Sequence, residues 1–130
     1  MTSDLTAARV ALAALLNNVG GSRAVSVIPQ TFTPPIICVM AASPYRQKGQ
    51  ALSDKRINLI ALCIGGMSTN DATEEATEDL AELVADKIDA SLTFRLDPDA
   101  EMDQPRLYPT SQGQQMLGIA VNVIARATRG

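Results

Sequence analysis

The stretch that most constrains this chain is Arg56 to Ile64 (RINLIALCI), which is apolar on both of its alternating faces. In an extended chain Ile57, Leu59, Ala61 and Cys63 point one way and Ile60, Leu62 and Ile64 the other, with Asn58 as the only polar interruption. Such a segment is predicted to be an interior strand, because both of its faces need cover from water. Gly65 and Gly66 then permit a sharp turn, and Met67 to Asn70 lead to Asp71. Asp71 with Glu74 forms a candidate capping box, so a helix is predicted to follow. Ala76, Leu80, Leu83, Val84 and Ile88 are expected to be its packed stripe. Burial of Leu80, Leu83, Val84 and Ile88 contributes about 1.5–3 kcal/mol each, more than any surface charge pair. The opposite face, with Glu74, Glu75, Glu78, Asp79, Glu82, Asp86 and Asp89, is left for solvent or for a partner.

That acidic face belongs to a lopsided charge distribution. From Asp71 to Asp103 twelve acidic residues stand against Lys87 and Arg95, whereas elsewhere Asp4 and Asp54 face nine Lys or Arg, within a net charge of −3. One part of the sequence is thus complementary to the other part of a second copy. Such a split can set register and orientation in a head-to-tail oligomer, although pairing within one monomer would also use it. Glu75, Glu78, Asp79, Glu82 and Asp86 on the acidic side, and Arg126 on the basic side, are the candidate subunit contacts.

The length of 130 residues suits a single domain spanning 1–130. Aromatic residues are only 3% of the chain, so the core is expected to be aliphatic. No apolar run is long enough to cross a membrane, and the N-terminus lacks the basic and apolar segments of a signal peptide, so a cytosolic place of synthesis is expected. Cys38 and Cys63 lie in apolar runs without ligand spacing and are expected to be buried small hydrophobes. The chain has no histidine. This removes Ser-His and Cys-His nucleophile pairs, imidazole acid–base chemistry and most catalytic zinc sites.

Along the chain, Thr2 to Asn18 reads as a first helix with Leu5, Ala8, Leu12, Leu15, Leu16 and Val19 as its apolar stripe. Gly20 or Gly21 is expected to take the left-handed conformation after it. Ala24 to Ile28 can form a short strand, and the prolines in Gln30 to Pro35 require an extended connection. Ile36 to Ala42 (IICVMAA) reads as a strand paired in a hairpin with the central one. Ser43 to Asp54 is its long polar tip and a candidate partner contact, through Tyr45, Arg46 and Lys48. After the acidic helix come a possible strand at Ser91 to Leu96, an acidic loop at Asp97 to Asp103, a short strand at Arg106 to Pro109 and a last strand at Met116 to Ala127.

This order gives an α+β fold, a mostly antiparallel sheet of about four strands with two helices packed on one face. The central and last strands are apolar on both faces, so the second face is expected to be covered by neighbouring subunits, or else by loops or the N-terminal strand. Chemistry is hard to find. No GxGxxG, P-loop or GxSxG pattern occurs. Asp97, Asp99, Glu101 and Asp103 alternate as in a calcium-binding loop, but Met102 and Tyr108 stand where such a loop needs Gly and Glu. Tyr45 to Lys48 is too small a basic cluster for DNA recognition. No enzyme activity, cofactor or metal is expected.

The layout nevertheless resembles a known family. The residues that carry the likeness are a first helix ending in Gly20-Gly21, the Pro-bounded strand Ile36 to Ala42, the long strand Ile57 to Ile64 and the acidic helix with Ala76, Leu80, Leu83, Val84, Asp86 and Ile88. Leu107-Tyr108-Pro109, a polar turn and Leu117 to Val123 follow. The pattern is similar to the tail terminator, or tail completion, proteins of long-tailed bacteriophages, including siphophages. The likeness covers most of the chain, but it lies in element order and pattern, with no short diagnostic motif. It implies a virion structural protein of the neck, made in the host bacterial cytoplasm, that forms a homo-oligomeric ring, typically a hexamer. The ring caps the tail tube, stops its polymerisation and offers a head–tail joining surface to a connector protein. DNA passes through the lumen without sequence-specific binding. The resemblance also implies that the Ser43 to Asp54 hairpin and the acidic residues Asp97, Asp99, Glu101 and Asp103 reach the tail tube or the connector. The alternative is a ferredoxin-like, homo-oligomeric regulatory domain that binds a small ligand where its sheets meet.

Overall fold

A computed structural model describes residues 4–26, 35–48, 54–66, 71–91, 94–97, 101–103, 105–109 and 115–128. Among them the chain forms two α-helices and six strands: α1 (Asp4–Leu16), β1 (Arg23–Val25), β2 (Ile36–Lys48), β3 (Asp54–Gly66), α2 (Asp71–Asp89), β4 (Phe94–Leu96), β5 (Arg106–Pro109) and β6 (Gln115–Thr128). A 3-10 turn at Val19–Gly21 joins α1 to β1. The sheet order is β1-β2-β3-β6-β4, with β5 also paired to β6. The α+β class therefore holds. The sheet, however, is curled and mixed, with more strands than the four expected, because β1 runs parallel to β2. The short segments Arg23–Val25, Phe94–Leu96 and Arg106–Pro109 supply the extra strands.

The two-faced strand is interior, as its pattern predicts. β3 is flanked by β2 over Ile36↔Ile64 to Lys48↔Lys55 and by β6 over Asp54↔Thr128 to Gly66↔Leu117. Both helices pack on one face. Ile57, Leu59, Ala61 and Cys63 of β3 share a core with Ile37 and Val39 of β2 and with Ile119, Val121 and Val123 of β6. Leu12 and Leu16 of α1, and Leu80, Val84 and Ile88 of α2, close that core from above.

The second face departs from expectation. Ile36, Cys38, Leu62, Ile64, Met116 and Ala120 form a separate cluster in which every member is at most 5% exposed within the single chain. Over this part of the sheet no neighbouring subunit is needed as cover, and the sequence argument for one falls. The remainder of that face is half-buried at Met40, Asn58, Ile60 and Asn122.

Three local features also differ from the sequence reading. The polar tip Ser43 to Asp54 is shorter than expected, since β2 continues to Lys48, with Arg46 to Lys48 paired to β3, and β3 begins at Asp54; residues 49–53 lie outside the described residues. The register jumps from Ala41↔Leu59 to Arg46↔Ile57, a bulge that carries Pro44, which has no N–H to give a ladder. Gly65 and Gly66 are the end of β3 and not a turn. The β3–β6 register slips between Ile64 and Gly66, and the Gly65 N–H is turned to the Oγ1 of Thr77 on α2 at 3.2 Å. A Cβ at position 65 would stand 2.6 Å from that oxygen, so glycine is what lets helix and strand approach. Last, Gly21 has the positive φ expected of Gly20 or Gly21, at 78°, but Asn18, nearer the end of α1, takes the left-handed conformation as well, at φ 72°. Met67 to Asn70, and the side chain of Asp71 in the expected capping box, lie outside the described residues.

Candidate interaction surfaces

The acidic face of α2 is the most heavily charged surface among the described residues. The helix buries Thr77, Leu80, Ala81, Val84, Ala85 and Ile88, a run at three- and four-residue spacing. Thr77 belongs to this stripe because its hydroxyl donates to the Thr73 carbonyl at 2.8 Å while accepting from Gly65. Leu83 and Ala76, expected in the stripe, are exposed instead; Leu83 is 47% exposed. The true stripe is rotated toward Ala81 and Ala85, whose small side chains let α2 sit close to the sheet.

Glu75, Glu78, Asp79, Glu82 and Asp86 are all exposed, together with Glu74 and Asp89. The i, i+4 pairs Glu75–Asp79, Glu78–Glu82 and Glu82–Asp86 each cost the helix about 0.2–0.5 kcal/mol. Asp86 and Asp89 also sit near the negative end of the helix dipole, where carboxylates are unfavourable. Charges placed so poorly for the helix itself are consistent with use by a partner.

Across the sheet, a groove of about 590 Å³ runs between α1 and β1, lined by Val10, Ala13, Ala14, Asn17, Ala24, Val25 and Ser26. The Ala24 N–H donates to the Asn17 Oδ1 at 3.2 Å, which ties strand to helix at its floor. Arg23 precedes Ala24 in β1 but pairs with Ile36, on the sheet face away from α1. The groove was not legible in the sequence, because β1 is three residues long and Val10 lies outside the apolar stripe of α1.

The other predicted contacts are separated by the fold. Tyr45, Arg46 and Lys48 lie on β2, whereas Asp97, Glu101 and Asp103 lie at the far edge beside β6, with β3 and β6 between them. The acidic segment is fixed to that edge. The Asp97 N–H donates to the Asn122 carbonyl, the Asn122 N–H to the Glu101 carbonyl and the Asp103 N–H to the Ala120 carbonyl, at 2.9–3.0 Å. With the Met102↔Val121 bridge, β4 and β5 thus act as two ends of one interrupted edge strand. Asp97 is half-buried and Glu101 and Asp103 are exposed, whereas Asp99 lies outside the described residues. The side chains of Tyr45, Arg46, Lys48 and Arg126 also lie outside them; the backbone of Arg126 pairs with Arg56.

Both cysteines are free and buried. Burial raises the Cys38 thiol, with Arg23 opposing, and pushes Cys63 up to about 12, with Cys38 adding to the effect. Neither is a thiolate near neutral pH, so neither is an activated nucleophile. Among the described residues no group of three His, Cys, Asp or Glu side chains converges as a metal site, and no helix is long and apolar enough to cross a membrane. No known family model matches this chain, and no curated protein is significantly similar to it in sequence.

Proposed function

We propose that this protein is a structural subunit that assembles with copies of itself into a ring, acting as a tail terminator does on the tail tube of a long-tailed phage. In this reading it is not an enzyme. The ring halts tube polymerisation and presents a joining surface to the head connector, and DNA passes through the lumen unread. The observation that carries the reading is the exposed acidic face of α2, placed at a cost to its own helix, in a chain whose remaining charge is mostly basic. The α+β layout with two helices on one face of the sheet agrees with the family resemblance. The regulatory-domain alternative, which needs the open sheet face for dimerisation, has less to use, because Ile36, Cys38, Leu62 and Ile64 are already covered within the chain.

Electron microscopy of the concentrated protein tests the proposal. Closed rings with a central lumen are the expected result; sheet-to-sheet dimers without a lumen would refute it.

A further inference from the structure

Cationic residues that the sequence spreads from Arg46 to Arg126 meet at one end of the sheet. Beyond the bulge in β2, Arg46 pairs with Ile57, Lys48 with Lys55, and Arg56 with both Gln47 and Arg126. The one acidic residue in these ladder pairs is Asp54, opposite Thr128. Like charges at directly opposed positions cost a sheet stability, and this end holds two such pairs, Lys48↔Lys55 and Arg56↔Arg126. The end is thus as unfavourable for its own sheet as the carboxylates of α2 are for their helix.

The acidic counterpart is a single row. Exposed Glu75, Asp79, Glu82 and Asp86 recur at spacings of four, three and four residues, opposite the buried stripe through Thr77, Val84 and Ile88. Among the described residues none of the four makes an ion pair. Lys87, the one cation of the helix, lies outside the row on the flank beyond Leu83. The row is about 16 Å long, and three paired strands are about 10 Å across.

We propose that the basic end of the sheet, formed by Arg46, Lys48, Lys55, Arg56 and Arg126, receives the acidic row of α2 from a second copy of this chain. The proposal rests on the self-assembly reading above and adds the surface on which α2 lands. Pairing α2 with α2, or basic end with basic end, would oppose like charges, which disfavours both. Duplex DNA is disfavoured as the occupant by the net charge of −3 and by the carboxylates of α2. A contact between two different surfaces leaves each added copy with one free end and one free row, the arrangement that closes into a ring.

The test reverses charge on each side of the contact in the full chain, with Lys48→Glu and Arg56→Glu together in one variant and Asp79→Lys and Glu82→Lys together in another. Sedimentation at low salt reads self-association, and circular dichroism checks that each variant keeps the fold. Each variant alone should lose affinity for itself by about tenfold or more. An equimolar mixture should recover the parent's assembly, because alternating copies then set opposite charges together at every contact. Assembly of either variant at the parent's affinity, or a mixture without recovery, would overturn the contact and leave the self-assembly reading standing. Parent protein that binds duplex DNA through Lys48 and Arg56, with self-association unchanged in their variant, would assign the end to nucleic acid and overturn the contact as well. A parent chain that stays monomeric at every concentration would overturn both the contact and the self-assembly reading.

Discussion

Gly65 and Thr77 form the tightest joint between α2 and the sheet. Gly65→Ala would place its Cβ 2.6 Å from the Thr77 Oγ1 and 2.7 Å from the Thr77 N, so strand or helix must shift. The expected loss is about 1–3 kcal/mol in a denaturant titration. Thr77→Val keeps the shape but leaves the Gly65 N–H without its acceptor, at a similar cost of about 1–3 kcal/mol. By contrast Leu83→Gln, on the exposed side of the same helix, is expected to stay within about 0.5 kcal/mol of the parent. The same residues show what a sequence conceals. A Gly-Gly pair after a strand reads as a turn, and a threonine among acids reads as surface. Only the register slip and the rotation of α2 make them partners. Cys63 yields a pH prediction. Its thiol ionises near pH 9.0 when unfolded but keeps its proton to about pH 12 when folded, so the folded state binds more protons between those values. Stability should therefore fall as pH rises through that window, and a Cys63→Ala variant should show a shallower slope in thermal melts taken from pH 9 upward.

At the scale of elements, the strongly patterned segments were readable and the polar ones were not. β3 announced itself through apolar residues on both faces, and α1 and α2 through their periodicity. The β2–β3 hairpin was visible, but its length was not, because the ladder resumes after the bulge over Arg46 to Lys48, where the paired residues are polar and charged. The acidic loop misled for the same reason, since the backbones of Asp97, Glu101 and Asp103 bond to β6 although their side chains are acidic. The acidic face of α2 gives this scale its prediction. Glu82→Lys removes repulsion with both Glu78 and Asp86 and should raise the stability of the isolated chain by a few tenths of a kcal/mol, about 0.2–0.5 per pair relieved. The same change should weaken self-association. Opposite signs in a thermal melt and in sedimentation would show that the charges serve a partner and not the helix; a loss of stability would contradict this.

At the scale of the whole molecule, the charge split and the covered second face point to different kinds of assembly. Apolar strands alone argued for neighbours across the sheet, yet the chain buries Leu62, Ile64 and Met116 itself, a closure no alternation pattern can reveal. What remains for assembly is the helix layer, with its carboxylate-rich α2. Contacts of this kind steer and orient by charge, so they should weaken as salt rises above the physiological range. If the protein joins phage tails, reversing Arg46 and Lys48 together should reduce tail capping or head joining while the circular dichroism spectrum stays that of the parent; unchanged phage assembly would remove that hairpin from the contact. The central claim, self-assembly into a ring, is tested most directly by native mass spectrometry over a wide concentration range at low salt. A hexamer, or a monomer that converts to one as concentration rises, is the predicted result. A tight dimer that persists on dilution and in high salt would contradict it.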